Sequence, residues 1–465
     1  MTAAPPRQPA SRRPRRPNIL VILSDQQRWD TLGCYGQRLP ISPHLDELAS
    51  DGVRFNHAFT MQPVCGPARS CLQSGLYATE TGCITNNIAL PPDQPTIARA
   101  LTDAGYDTAY VGKWHLAADA DNNYRTRAIP PERRGGWDGY WRAADTYEFT
   151  SSGYEGYVFD EAGNRIDWEG YRVDKTTDFA LDYLRDYATR RPTDDAGRDK
   201  PFVMFLSYLD PHHQNDLNRY IGPIGSKQRF ADYDTPVDLA AFDSTGSPGP
   251  DWRQHYPDYL GACWSIDQNV GRLREALKLH GLEDDTLIIY TSDHGCHFRT
   301  RNGEYKRSCH ESSLRVPLIL HGPGFRGGRV VDELVSLIDL PATVVSAGGA
   351  SLPRVAGRPL QPLAVGDARD WPDDVFVQIS ESQVGRAIRT HRWKYAVADP
   401  DASRDQPGSA RYVEQHLYDL DADPAELDNR VADPALADVR AELAARLKRR
   451  MAEAGEPEPT IVSAT

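Results

Sequence analysis

Nothing in the chain approaches the ~18 consecutive apolar residues that a membrane-spanning helix requires; apolar runs such as 18–23 and 287–290 stop far short. Cysteine is sparse, seven in 465 residues, and no two stand as Cys-x-x-Cys. A disulfide-stapled scaffold and a thiolate zinc site are therefore not expected, and the odd count without a secretory signal points to a reducing cytoplasm. Positive charge is also in deficit. Lys and Arg number 53 against 66 Asp and Glu, a formal net charge of -13, which excludes a nucleic-acid binder that works through its whole surface but leaves room for a local basic pocket. The first seventeen residues are the exception, with Arg7, Arg12, Arg13, Arg15 and Arg16 and no acid. No apolar segment of signal-peptide length follows them, so residues 1–17 are expected to form a disordered basic tail. Internal repeats and long low-complexity segments are absent.

What is present is enough chain for one large core and a smaller one. Strand-like runs at 18–23, 108–111, 202–209, 287–290 and 316–320 lack polar alternation, as strands covered on both faces should, and helical spacing at 43–50, 176–187 and 259–280 separates them. This predicts an α/β domain over 18–365 with a mostly parallel sheet flanked by helices. Residues 135–167 and 222–257 are rich in Gly, Pro and aromatics without periodicity and are predicted to be long loops. From 366 the texture shifts to short strands at 375–379, 387–390, 393–397 and 417–420 and a polar helix at 438–452, a smaller antiparallel subdomain ending at 465.

Ligands bind beyond the carboxyl ends of strands in open α/β sheets, and four of these runs are followed by chemistry-bearing residues. They are Asp25-Gln26, Lys113-Trp114-His115, Asp210-Pro211-His212-His213 and Asp293-His294. Asp25, Gln26, Asp293 and His294 offer oxygen and imidazole donors suited to a hard divalent cation, Ca²⁺ first, with Mn²⁺ or Mg²⁺ as alternatives. Only a shared sheet edge can bring the two pairs together.

The sharpest local pattern is Cys65-Gly66-Pro67-Ala68-Arg69, with Leu72 and Gly75 behind it. It resembles the motif of the type I sulfatases, in which the cysteine is oxidised to Cα-formylglycine. Asn18 to Asp25, Ser42-Pro43-His44-Leu45-Asp46, Gly52-Val53-Arg54-Phe55, Gly112 to His115, Pro211-His212, Ser292 to Gly295, Lys306, and Leu417 to Leu420 with Asp423-Pro424 are similar to family features in family order. The resemblance implies an alkaline-phosphatase-like fold, a formylglycine-generating maturation enzyme as partner, and hydrolysis of a sulfate ester. It implies that Asp25, Gln26, position 65, Asp293 and His294 hold the metal. Asp293 also takes a proton from the attacking hydroxyl, Arg69 and Lys113 hold the hydrate and sulfate oxygens, His212 and Lys306 protonate the leaving alcohol, and His115 releases sulfate. The chain departs from the commonest family pattern by presenting two carboxylates at the metal where many members have three. That combination also resembles phosphonate monoester and phosphodiester hydrolases, which stand as the alternative; a catalytically silent anion binder with unconverted Cys65 is the second alternative. Arg299, Arg301, Lys306, Arg307 and Arg315 crowd the stretch after the metal pair. From them Arg299 and Arg301, with His310, are assigned to substrate binding, and the substrate is expected to be a sulfated sugar.

Overall fold

The computed structural model describes residues 16–118, 124–194, 197, 199–242 and 249–463; most of the basic N-terminal stretch, 1–15, lies outside the described residues. Eleven strands form one sheet: β1 (Asn18–Ser24), β2 (Val53–Phe59), β3 (Asp107–Lys113), β4 (Tyr140–Ala144), β5 (Glu155–Phe159), β6 (Arg165–Glu169), β7 (Phe202–Ser207), β8 (Thr286–Ser292), β9 (Arg315–Val316), β10 (Leu318–His321) and β11 (Arg329–Ser336). Their order is β11-β2-β10-β8-β1-β7-β3-β4-β5-β6, with β9 paired to β2. The centre is parallel, with β1 between β8 and β7 and β3 between β7 and β4. β10 runs against both of its neighbours.

The continuous apolar runs become central strands because alternate residues are claimed by opposite helical layers. The main helices are α1 (Pro43–Asp51), α2 (Cys65–Ser74), α3 (Ile97–Asp103), α4 (Arg172–Arg190), α5 (Trp252–Leu279), α6 (Asp339–Ala347) and α7 (Ala437–Glu453). On β1, Ile19, Val21 and Leu23 pack with α2, α3 and α6, while Leu20 and Ile22 pack with α1, α4 and α5. With both faces dry, the sheet buries side chains worth roughly 1.5–3 kcal/mol each relative to exposure. Among the described residues no helix is long and apolar enough to cross a membrane, and all seven cysteines are free.

A second sheet, β12 (Asp374–Ile379), β13 (Val384–Thr390), β14 (Trp393–Asp399), β15 (Arg411–Asp419) and β16 (Thr460–Val462), is antiparallel apart from β16, which joins β15 in parallel. One face carries α7 through Phe376, Ile388, Tyr395 and Leu447. The other packs Val375, Val377 and Ala387 on Phe59, Leu314 and Leu334 of the large domain.

Two expected loops contain structure. Residues 135–167 hold β4, β5 and most of β6, the latter two an exposed edge hairpin turned at Gly163 (φ +83°). An edge pair half in water carries polar and aromatic residues and shows no apolar run. Within 222–257 lie two helices of four residues, Ser226–Arg229 and Val237–Ala240, and the start of α5. Pro257 sits inside α5 and hid its first turns; near a helix start a proline forfeits only a bond to the opening turn.

Candidate active site

The carboxyl ends of β1, β3, β7 and β8 and the start of α2 meet in one place. β1 and β8 are neighbours in register, Ser24 opposite Ser292, so Asp25 and Asp293 emerge side by side, and the Gln26 N–H donates to Asp293 Oδ1 at 3.1 Å. Gln26 holds φ +69° to make that turn. On β3, Gly112 has φ +99°, and a Cβ there would lie 1.9 Å from the Ser207 carbonyl oxygen; only glycine lets β3 approach β7 so closely just before Lys113. Beyond it, Asp145 accepts the N–H groups of Ala117 and Ala118 at 2.9 and 3.2 Å and pins the loop that carries His115. Cys65 is the first residue of α2, whose ten residues are all buried. Asn86 accepts the Gly66 N–H at 2.9 Å, and Gly75 closes the helix in the left-handed region.

Around the Cys65 Sγ, Lys306 Nζ lies at 2.8 Å, His294 Nε2 at 3.1 Å and Asp25 Oδ1 at 3.5 Å. Lys113 Nζ donates to Asp25 Oδ2 at 2.7 Å. Arg69 Nη2 reaches Asp25 Oδ2 at 3.0 Å and Asp293 Oδ2 at 3.1 Å, and its Nη1 donates to Ser207 Oγ at 2.6 Å and the Lys113 carbonyl at 3.0 Å. Lys306 Nζ also lies 2.9 Å from His212 Nε2.

Burial alone would push the Cys65 thiol up, yet Lys113, Lys306 and His294 hold it well below its ordinary value. Asp25 is likewise held well below the usual carboxylate range: burial and Cys65 oppose the shift, but Lys113, His212 and Arg69 outweigh them. Asp293 moves the other way, raised by burial and by the charge of Asp25. Two carboxylates are thus packed under three long cations, an arrangement that favours negative charge at position 65 and on any group drawn to it.

The same residues fit a divalent cation. Ligand atoms of Asp25, Cys65, Asp293 and His294 lie within 4.8 Å of one another, and all four residues are buried. His294 Nδ1 faces the Gly295 carbonyl at 3.0 Å; a carbonyl only accepts, so Nδ1 carries the hydrogen and the Nε2 lone pair faces the cluster. Gln26 Oε1 accepts the His213 N–H at 3.2 Å and keeps a second lone pair. Its amide faces Tyr220 OH and Cys296 Sγ at 3.5 and 3.6 Å.

The cluster floors a cavity of about 160 Å³ lined by Gln26, Cys65, Lys113, His115, His212 and Lys306. Every residue assigned to the metal or to catalysis therefore lies in this cluster or on its walls. The assigned substrate binders do not. Arg301 donates to the carbonyls of Glu426 and Ala425 at 2.7 and 2.6 Å and lies over Phe242. Arg299 stacks on Tyr305 beside Asp251. His310 is buried between Ser308 and Tyr418, next to Cys309 and His416. Charge density along the sequence suggested a basic rim, but Arg301 and His310 are taken up by residues of the small domain and Arg299 by Asp251 and Tyr305. The walls are completed by Asn86, Asn87, Arg125, Thr146, Glu148, Phe149, Asn215, Glu304, Tyr305 and Arg307, which the sequence reading did not assign. Most come from segments without periodicity, and no local signal marks them.

The sequence profile of the Sulfatase family matches residues 17–350, and that of the N-sulphoglucosamine sulphohydrolase C-terminal region matches 303–453. The chain is 31% identical to the sulfatase YidJ of Escherichia coli (strain K12) over 464 aligned positions, covering 92% of this chain and 86% of that one. It is 28% identical to an ulvan-active sulfatase of Formosa agariphila, covering 95% and 82%. The crystal structure of a YidJ sulfatase from Bacteroides fragilis superposes with a TM-score of 0.80 at 25% identity, covering 97% of this chain and 98% of that one. Motif, fold and site agree with these matches, and the chain belongs to the type I sulfatase family of the alkaline phosphatase superfamily, the sulfuric ester hydrolases.

Proposed function

We propose that the protein hydrolyses a sulfate ester on a carbohydrate, that Cys65 is the precursor of a formylglycine installed by a maturation enzyme, and that Asp25, Gln26, Asp293 and His294 hold the metal, Ca²⁺ with Mn²⁺ or Mg²⁺ as substitutes. The observation that carries this is the position of Cys65 Sγ. It sits at the buried start of α2, in reach of Lys306, His294 and Asp25 together. A structural cysteine has no need of such company; the other six are free thiols outside this cluster. When present, the hydrated aldehyde supplies two hydroxyls on one carbon, and the metal a Lewis acid beside them.

The chain's own groups divide the remaining work. Arg69 and Lys113 anchor anionic oxygens over the carboxylates. Asp293, whose carboxyl is pushed up, accepts a proton at position 65. The proton shared by Lys306 Nζ and His212 Nε2 across 2.9 Å passes to the bridging oxygen as the S–O bond breaks, so the alcohol leaves neutral. His115 reaches position 65 from the end of β3, on a different element from that acid pair, and removes the proton whose loss expels sulfate. The saccharide part of the reading draws on the polar walls and on the ulvan-active relative.

The test measures kcat/KM for sulfated saccharides, an aryl sulfate, a phosphodiester and a phosphonate monoester side by side, before and after chelation and with Ca²⁺ or Mn²⁺ restored. Sulfated saccharides rank first, and activity is lost on chelation and returns with either ion. A first rank for the phosphonate, favoured by the two-carboxylate site, overturns the sulfate ester assignment.

A further inference from the structure

Glu148 is one wall residue to which none of the roles above assigns work. It opens a single turn of 3-10 helix, Glu148–Thr150, directly after Tyr147, a buried non-glycine residue at φ +63°. Such a conformation costs energy and persists only where its surroundings enforce it. Here they do: Tyr147 OH pairs with Thr176 Oγ1 at 2.9 Å, and its carbonyl accepts from Ser151 Oγ at 2.7 Å. The Glu148 carbonyl accepts from Gln214 Nε2 at 2.8 Å. Gln214 is in turn held by Arg172, which also grips Asp210. This stitching ties the loop after β4 to the loop after β7 and turns the Glu148 carboxylate towards the site. Asn215 Nδ2 steadies both carboxylate oxygens, at 3.1 and 3.2 Å.

The carboxylate lies 3.5 Å from His212 Nδ1, a buried atom that has no hydrogen-bond partner and to which Glu148 is an acceptor within ion-pair reach. The opposite nitrogen, Nε2, faces Lys306 Nζ at 2.9 Å. An ammonium has donors only, so the contact is favourable when Nε2 carries the lone pair and Nδ1 the hydrogen. In the other tautomer two donors would confront each other at the point where the leaving oxygen must be protonated, while a lone pair faced a carboxylate.

We propose that Glu148 is a positioning residue that sets the Nδ1–H tautomer of His212, so that Nε2 is the atom that exchanges a proton with Lys306 and the leaving oxygen. This deepens the reading of His212 and Lys306 as the acid pair and rests on it.

The test compares wild type, Glu148→Gln, Glu148→Asp and His212→Asn on an aryl sulfate with a good leaving group and on a sulfated saccharide with a poor one. In Glu148→Gln, kcat for the saccharide falls about 10- to 100-fold, a part of the ~10²–10⁴-fold that a positioned general acid supplies. KM changes little, the aryl sulfate loses several-fold less, and Glu148→Asp recovers part of the loss. Thermal melting confirms folding, and ¹⁵N-histidine spectra read the His212 tautomer without reference to turnover. A shift away from Nδ1–H in Glu148→Gln supports the proposal. An unchanged tautomer overturns it, as do equal losses on both substrates. If His212→Asn itself fails to discriminate leaving groups, the acid-pair reading falls, and the spectra still decide whether Glu148 sets the ring.

Discussion

Arg301 shows how a residue's sequence neighbours can mislead about its work. In the folded chain its guanidinium bridges two carbonyls, of Ala425 and Glu426, more than a hundred positions away. Arg301→Ala strands both acceptors and removes the contact with Phe242, so it is expected to cost about 2–4 kcal/mol of stability. The kcat/KM values for a sulfated saccharide and an aryl sulfate should move together in that variant. Thermal unfolding with the two assays checks this, and a loss confined to the saccharide would restore Arg301 to the substrate. The converse holds at the reaction centre. Asp25, Lys113, His115, His212 and Asp293 were legible because each follows a strand-like run whose end a shared sheet edge brings to one place; Cys65, Arg69 and Lys306 were named from the family resemblance instead, Lys306 from a loop well beyond the end of β8. Glu148 was not legible, because its direction depends on a strained turn enforced by residues on other loops.

At the scale of elements, α1 and α5 are joined by an acid that caps the other helix. Asp267, on α5, accepts the Leu45 N–H in the first turn of α1 at 2.8 Å. Burial outweighs that help and pushes its carboxyl up to about 7. A carboxyl raised in the folded state binds a proton that the unfolded chain has lost. Stability is therefore fully present below the unfolded value near 3.8 and falls as pH rises towards 7, by at most about 1.4 kcal/mol per pH unit. Asp267→Asn keeps the acceptor and removes the charge. It should flatten the difference in melting temperature between pH 4 and 7 and exceed wild type at neutral pH; a parallel curve would contradict this. Such contacts rest on the helical spacing of α1 and α5, which the sequence shows plainly. The β5–β6 hairpin and the first turns of α5 were hidden, the former by its half-exposed edge position and the latter by Pro257.

Across the whole molecule, the small sheet is locked to the site loop by a buried charge triad. Lys394, on β14, sits 2.8 Å from Glu311 and 2.6 Å from Glu426, and Glu426 also accepts the Glu311 N–H at 2.7 Å. Lys394→Met leaves the buried Glu426 without its cation and Glu311 with Arg389 alone, 3.4 Å away, and should destabilise the protein by about 3–5 kcal/mol. Denaturant unfolding reads this; a change within a few tenths of a kcal/mol would show that the triad does not hold the two parts together. The division into a large mixed sheet and a small one was visible in the changing texture of the sequence. Their mutual docking was not, because it depends on pairs such as Glu311 and Lys394 far apart in the chain. All of this scaffolding converges on one atom, Cys65 Sγ, and the account stands on what that side chain becomes. The direct measurement is the mass of the peptide spanning Cys65 from protein co-expressed with a formylglycine-generating enzyme, taken with turnover of a sulfate ester. The account predicts a loss of about 18 Da, the change from cysteine to formylglycine, in proportion to active enzyme, and no multiple turnover in Cys65→Ser. An unmodified cysteine in fully active protein, or near-normal turnover by the serine variant, would contradict it.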